Sequence, residues 1–104
     1  MFVRFIRSGR RLVANLVHNR KVDGKVVSEH IARLGSCLLP EPLSAPERIR
    51  FWDALPDRWR QHPRLSNLPI ADRRRALDQV AERIPQPTPD EIVQILKRLQ
   101  RWAA

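Results

Sequence analysis

The chain has little of what most secreted or catalytic domains are built on. Its 104 residues hold one cysteine, one methionine, three glycines and no tyrosine. A single thiol, Cys37, excludes an internal disulfide framework and suits a reducing compartment. The glycines, Gly9, Gly24 and Gly35, are scattered singly and form no phosphate-binding loop. No apolar run approaches the roughly 20 residues that a membrane span needs. Arg4 and Arg7 interrupt the apolar start, so it does not read as the core of a signal peptide. Negative charge is also short, with 11 Asp+Glu against 20 Lys+Arg and a net charge of +9. Lysine is scarce among those cations, only Lys21, Lys25 and Lys97; the rest are arginine. What is left is a small, soluble, basic protein, expected in the cytoplasm.

The charge that is present is unevenly spread. Residues 1–36 carry Arg4, Arg7, Arg10, Arg11, Arg20, Lys21, Lys25 and Arg33 against only Asp23 and Glu29, six of the nine net charges. This segment reads as β structure, because Phe2–Arg7 and Arg11–Asn19 are rich in strand formers. Leu12, Ala14 and Leu16 share one face by alternation, and Val13, Asn15 and Val17 share the other. Asp23-Gly24 supplies a tight hairpin turn. Residues 26–34 then pair back until Gly35 ends the run, and residues 2–7 add an edge strand.

Two prolines in Cys37–Pro42 mark a connector. Beyond it, Ser44 and Glu47 have capping-box spacing and open a helix with a stripe of Ile49, Trp52, Leu55 and Trp59. Pro56 is expected to kink or split that helix, and Pro63 to stop it. A second helix is expected over residues 69–84, burying Ile70, Leu77, Val80, Ala81 and Ile84. After the stiff Pro85-Gln86-Pro87 segment, Thr88 caps a third helix with Pro89 at its first position and Asp90 and Glu91 at the positive end of its dipole. Ile92, Ile95, Leu96, Leu99 and Ala103 would form its buried face. The expected fold is α+β: a basic hairpin module over 1–36, a connector over 37–43 and a helical module over 44–104, sharing one core.

Chemistry finds few footholds. His18, His30, His62 and Cys37 lack the spacings that converge on a metal, so no metal and no cofactor are expected. Asp53 and Asp57 lie four residues apart, but Arg50, Arg58 and Arg60 beside them make surface ion pairs the simpler account. Catalytic residues are therefore not assigned, and the chain does not read as an enzyme. The basic hairpin is the main physical signal. Arg10, Arg11, Arg20, Lys21, Lys25 and Arg33 are placed to contact phosphates, and a two-stranded ribbon is slim enough to enter a major groove. A merely solvated surface, or charge that guards an edge strand against aggregation, is the plain alternative. Trp52, Trp59 and Trp102 suit base stacking in principle, yet the first two lie one heptad apart on an apolar stripe, which suits a core.

The run Leu12–Val17, Asn19-Arg20, Asp23-Gly24-Lys25-Val26 and Ile31-Ala32-Arg33-Leu34-Gly35 resembles the N-terminal hairpin of large DDE-type insertion-sequence transposases. The resemblance covers about a third of the chain, and His18-Asn19 stand where that family commonly has an aromatic. A chain of 104 residues has no room for that family's RNase H-like catalytic domain, so the resemblance implies proximity to DNA without strand transfer. The segment from Phe51-Trp52 to Pro89 is similar to small uncharacterised bacterial proteins that join such a hairpin to helices, and this implies no activity. The function expected is non-catalytic nucleic-acid binding, to DNA before RNA. The alternative is a protein–protein module acting through Ile49, Trp52 and Trp59 or through the last helix, toward a partner or a second copy. Neither involves a membrane.

Overall fold

Aliphatic and β-branched side chains at alternating positions drive the first third of the chain into strands. The structure, a computed structural model, describes the backbone of residues 1–103 and the side chains of residues 1–98. β1 (Phe2–Ser8), β2 (Arg11–Val22) and β3 (Lys25–Leu38) form an antiparallel sheet with β2 in the middle. Residues 2–7 are thus an edge strand, as expected. Val22 pairs with Lys25 across Asp23 and Gly24, whose φ angles of 52° and 78° are both positive, as a two-residue hairpin requires. β1 reaches only as far as the Phe2–Val17 pair. From His18–Glu29 to the turn, β2 and β3 therefore project as a two-stranded ribbon, and residues 19–28 are all exposed.

Gly35 does not end the third strand. β3 runs through it to Leu38 and takes up Cys37 and Leu38 from the expected connector. What needs glycine here is a close approach, not a turn. The ring of Phe51 packs on the backbone, and a Cβ at position 35 would lie 2.7 Å from Phe51 Cε2. The β2–β3 register also slips twice. Ala14 faces Gly35 but Asn15 faces Arg33, and Leu16 faces Ala32 but Val17 faces His30. Leu34 and Ile31 are the extra residues of two bulges, and both turn into the core beside Ala32.

Four helices follow: α1 (Ala45–Gln61), α2 (Pro63–Ser66), α3 (Ile70–Arg83) and α4 (Pro89–Ala103). Ser44 caps α1 by accepting the Glu47 N–H at 3.4 Å. Glu47 does not complete the box; its carboxylate accepts the Leu38 N–H at 3.1 Å and ties the end of β3 to the start of α1. Pro56 neither splits nor ends α1, because it sits on the exposed side while Phe51, Leu55 and Trp59 hold the opposite side in the core. The buried line is therefore Phe51–Leu55–Trp59 at steps of four, with Trp52 and Ile49 only half-buried.

One core joins sheet and helices: Leu12, Ala14 and Leu16 from β2 meet Phe51, Leu55 and Trp59 from α1 and Ala76, Val80 and Ile84 around α3. α1 and α2 lie against β3 and α3 lies against β1, all on this one side of the sheet. Gln79 Oε1 accepts the Val3 N–H at 2.6 Å, which occupies a donor on the open edge of β1. Ile70, expected in the core, is 78% exposed, because α3 meets the core only from Ala76 onward.

α4 departs furthest from expectation. It is the most amphipathic helix of the chain, yet Ile92 and Leu96 are 40% and 53% exposed and Ile95 is half-buried. Its first turn is anchored. Thr88 Oγ1 accepts the Glu91 N–H at 3.2 Å and Glu91 Oε1 accepts the Thr88 N–H at 3.0 Å, a full capping box. Arg48 from α1 grips the same Glu91 carboxylate with two N–H groups. The expectations for Leu99, Trp102 and Ala103 lie outside the described side chains.

Two outcomes follow for stability. Gly35→Ala forces a methyl against a buried ring and is expected to cost about 1–3 kcal/mol, read as a lower urea midpoint. The Arg48 hydrogen bond, helped by the Thr88 N–H, holds the Glu91 carboxyl down at about 2 from its ordinary 4.5. A depressed carboxyl stabilises the attached state above its ordinary pKa and loses that contribution as pH falls through its folded value. The amide NMR signals of the first turn of α4 are thus expected to change as pH drops from about 4.5 to about 2, and Arg48→Met should remove that step.

Candidate nucleic-acid interface

Because α1, α2 and α3 all pack on the face of Leu12, Ala14 and Leu16, the other face of the sheet is left to solvent. Alternation and register place Phe2, Arg4 and Ile6 of β1 on it. From β2 come Arg11, Val13, Asn15, Val17, Asn19 and Lys21, and from β3 Val26, Ser28, His30, Arg33 and Ser36. Val13 and Val17 are buried here although outside the core, since each is flanked by a side chain from both neighbouring strands. Val13 lies between Ile6 and Ser36, and Val17 between Phe2 and His30.

Hydrogen bonds organise the polar part of this face across the strands. Arg11 Nε donates to Ser36 Oγ at 2.9 Å, Arg4 donates to Ser28 Oγ at 3.3 Å, and Ser28 donates to Asn19 Oδ1 at 2.7 Å. Arg4 also lies 5.6 Å above the Phe2 ring. Arg4, Arg11, Lys21 and Arg33 thus share one surface, with half-buried Arg11 at its margin where it also lines a hollow with Arg50, Phe51 and Arg58 of α1, and among the described residues no carboxylate stands on that surface.

The carboxylates lie elsewhere, many with a cation. Glu29 faces the helix side, beside Arg20 at 3.8 Å and Arg64 at 3.2 Å. Glu41 pairs with Arg83 at 2.9 Å and lies 4.0 Å from Arg7, and the Arg83 hydrogen bond lowers its pKa. Glu47 sits by Arg50, Asp57 by Arg60 and Glu91 by Arg48. Asp23 occupies the ribbon turn.

The six expected phosphate contacts accordingly separate. Arg11, Lys21 and Arg33 come together on the outer face. Arg10 and Lys25 stand at the turns at opposite ends of β2, both exposed. Arg20 points to the other side of the ribbon, where Glu29 meets it. Arg4 belongs to the outer face but escapes a reading that treats residues 2–7 only as an edge strand; the alternation of Phe2, Arg4 and Ile6 is the signal that carries it.

The other candidates are placed as follows. His18 and His30 do not share a cleft: His18 pairs with Glu29 on the helix side, and His30 lies on the outer face. Among the described residues no three His, Cys, Asp or Glu side chains converge as metal ligands would. Trp59 is buried and Trp52 donates its Nε1–H to the Ile84 carbonyl at 2.9 Å, so both are engaged in packing α1. With Leu55, Pro56, Arg73 and Leu77 they line a cavity of about 150 Å³, where the Arg73 guanidinium lies 5.5 Å over Trp59. Among the described residues no helix is long and apolar enough to cross a membrane. No protein-family model, no curated protein and no solved structure matches this chain.

Cys37 is buried at the end of β3, its Sγ 3.8 Å from the Glu47 carbonyl. Burial first, and the Glu47 carboxylate second, push its thiol up to about 11. At neutral pH it is a protonated core filler and a poor nucleophile. Iodoacetamide at pH 8 is expected to label it only at the rate at which the core opens, and labelling faster than amide exchange of β3 would contradict this placement.

Proposed function

We propose that the outer face of the sheet and its projecting ribbon bind the phosphate backbone of duplex nucleic acid, without catalysis. One observation carries the reading: Arg4, Arg11, Lys21 and Arg33 lie on a face that no helix covers and that holds no carboxylate among the described residues, while five carboxylates elsewhere stand within 4.0 Å of an arginine. Segregation of this kind leaves a positive field on one surface, and phosphates answer it by releasing counterions.

Two features favour a duplex over a single strand. Stacking platforms for bases need aromatic rings, and among the described residues Phe2 is the one phenylalanine or tryptophan on this face, at the edge under the Arg4 guanidinium. The span fits as well. From Arg11 to Lys21 β2 advances about 33 Å at its usual rise, which is close to one turn of B-form DNA. Cations at both ends of the strand thus meet phosphates about one turn apart on one side of the duplex. The resemblance of residues 12–35 to a transposase hairpin points toward DNA in particular.

The test is fluorescence anisotropy of a labelled duplex titrated with the full chain at several salt concentrations. A log–log salt slope of several is expected, since each neutralised phosphate contributes roughly 0.9. Replacing Arg4, Lys21 and Arg33 by Glu should lower affinity more than about tenfold and reduce the slope by roughly 3, whereas Arg75→Glu on α3 should change it far less. No binding at low salt, or equal losses from both sets of substitutions, would overturn the proposal.

A further inference from the structure

We infer that α4 is a self-association element, pairing antiparallel with α4 of a second copy. The observation is an apolar stripe held in water: Ile92, Val93 and Leu96 are 40%, 47% and 53% exposed on the most amphipathic helix of the chain. A helix of 15 residues is marginal in water by itself, and this one is fastened to the body through its capped first turn and the Arg48–Glu91 pair. Among the described side chains, Ile92, Val93 and Leu96 do not fold back on the core; the side that meets α1 carries Glu91 and Ile95, both half-buried.

The charges beside the stripe select the occupant. At 100° per residue, Ile92, Leu96 and Val93 span one arc, and Asp90 and Lys97 both fall just beyond its Val93 edge, two turns apart. Both are exposed, and neither has a partner within 4.0 Å among the described residues. Two copies crossing antiparallel near Gln94 set Ile92 against Leu96 of the second copy, and Asp90 opposite Lys97 of the second copy. The two-fold symmetry repeats each contact, so a single helix supplies both halves of the interface. A parallel pair would instead carry the two copies' Asp90–Lys97 flanks to opposite sides of the interface, where the charges do not meet. The surface is thus complementary to itself in one orientation, which an arbitrary partner helix does not explain.

Sedimentation velocity of the full chain from about 1 µM to about 1 mM tests this directly. A shift from monomer to dimer with rising concentration is expected. Leu96→Glu, at a position that does not contribute to the core, should abolish it while far-UV circular dichroism stays unchanged. Asp90→Lys should weaken the dimer about tenfold, because the symmetry turns two attractions into two repulsions. Adding Lys97→Asp to that variant should restore it, since the pair is reversed and kept. A monomer at every concentration would overturn the inference, as would a dimer indifferent to Leu96→Glu or a double variant that stays as weak as Asp90→Lys alone. Heteronuclear NMR line widths of residues 90–98 give an independent reading should Asp90→Lys loosen the helix: concentration-dependent broadening confined elsewhere would equally sink it.

Discussion

The contact between the Phe51 ring and the backbone at Gly35 sets the arrangement of the whole molecule. A strand that admits a ring where a Cβ would stand lets α1 lie flat against β3, and Leu55 and Trp59 follow at successive turns. Once α1 is seated there, the chain has one apolar face to cover and uses α2 and α3 to finish it, from β3 at one margin to β1 at the other. The opposite face needs no helix: among the described residues, Val13 and Val17 are its buried apolar side chains, and their strand neighbours already shield them. A residue without a side chain thus decides which side of the sheet meets solvent.

Charge follows the same division. Carboxylates that must sit near the helices are met by arginines: Glu29 by Arg64, Glu41 by Arg83, Glu91 by Arg48. Most of these pairs are partly exposed and individually weak, so they do little for stability. Their effect is on distribution. Seven arginines off the outer face stand within 4.0 Å of a carboxylate, whereas among the described residues none of the four outer-face cations does. An excess of arginine over the whole chain would say little about a partner; an excess on one uncovered surface is a statement about the shape of the field.

Much of this was legible in the residues alone. Asp23-Gly24 marked the hairpin, Thr88-Pro89 marked the start of α4, and the α+β architecture followed from period-two alternation giving way to helical stripes. The failures share a cause, since each depends on a contact distant in sequence. Gly35 reads as a stop until Phe51 is placed against it. Ile31 and Ala32 cannot both face inward under strict alternation, and only the bulges in register allow it. Pro56 reads as a break unless the burial of the opposite side of α1 is known. Arg20 and Lys21 look alike in a basic run, yet one-residue alternation sends Arg20 to Glu29 and Lys21 to the open face.

The uncovered sheet and the uncovered helix bear on one another through size. Under the proposed function, four cations spread over about one duplex turn would bind phosphates electrostatically and lose affinity steeply with salt. Such a surface gains most from being doubled, because a second copy bound to the same duplex acts at high effective concentration without any new contact to the nucleic acid. α4 stands on the helix side of the molecule, tethered by Pro85–Pro89 and the Arg48–Glu91 pair, away from the face that carries the charge. Pairing there leaves both basic faces free. On the proposed reading, two paired copies would then hold a duplex more firmly than either copy alone.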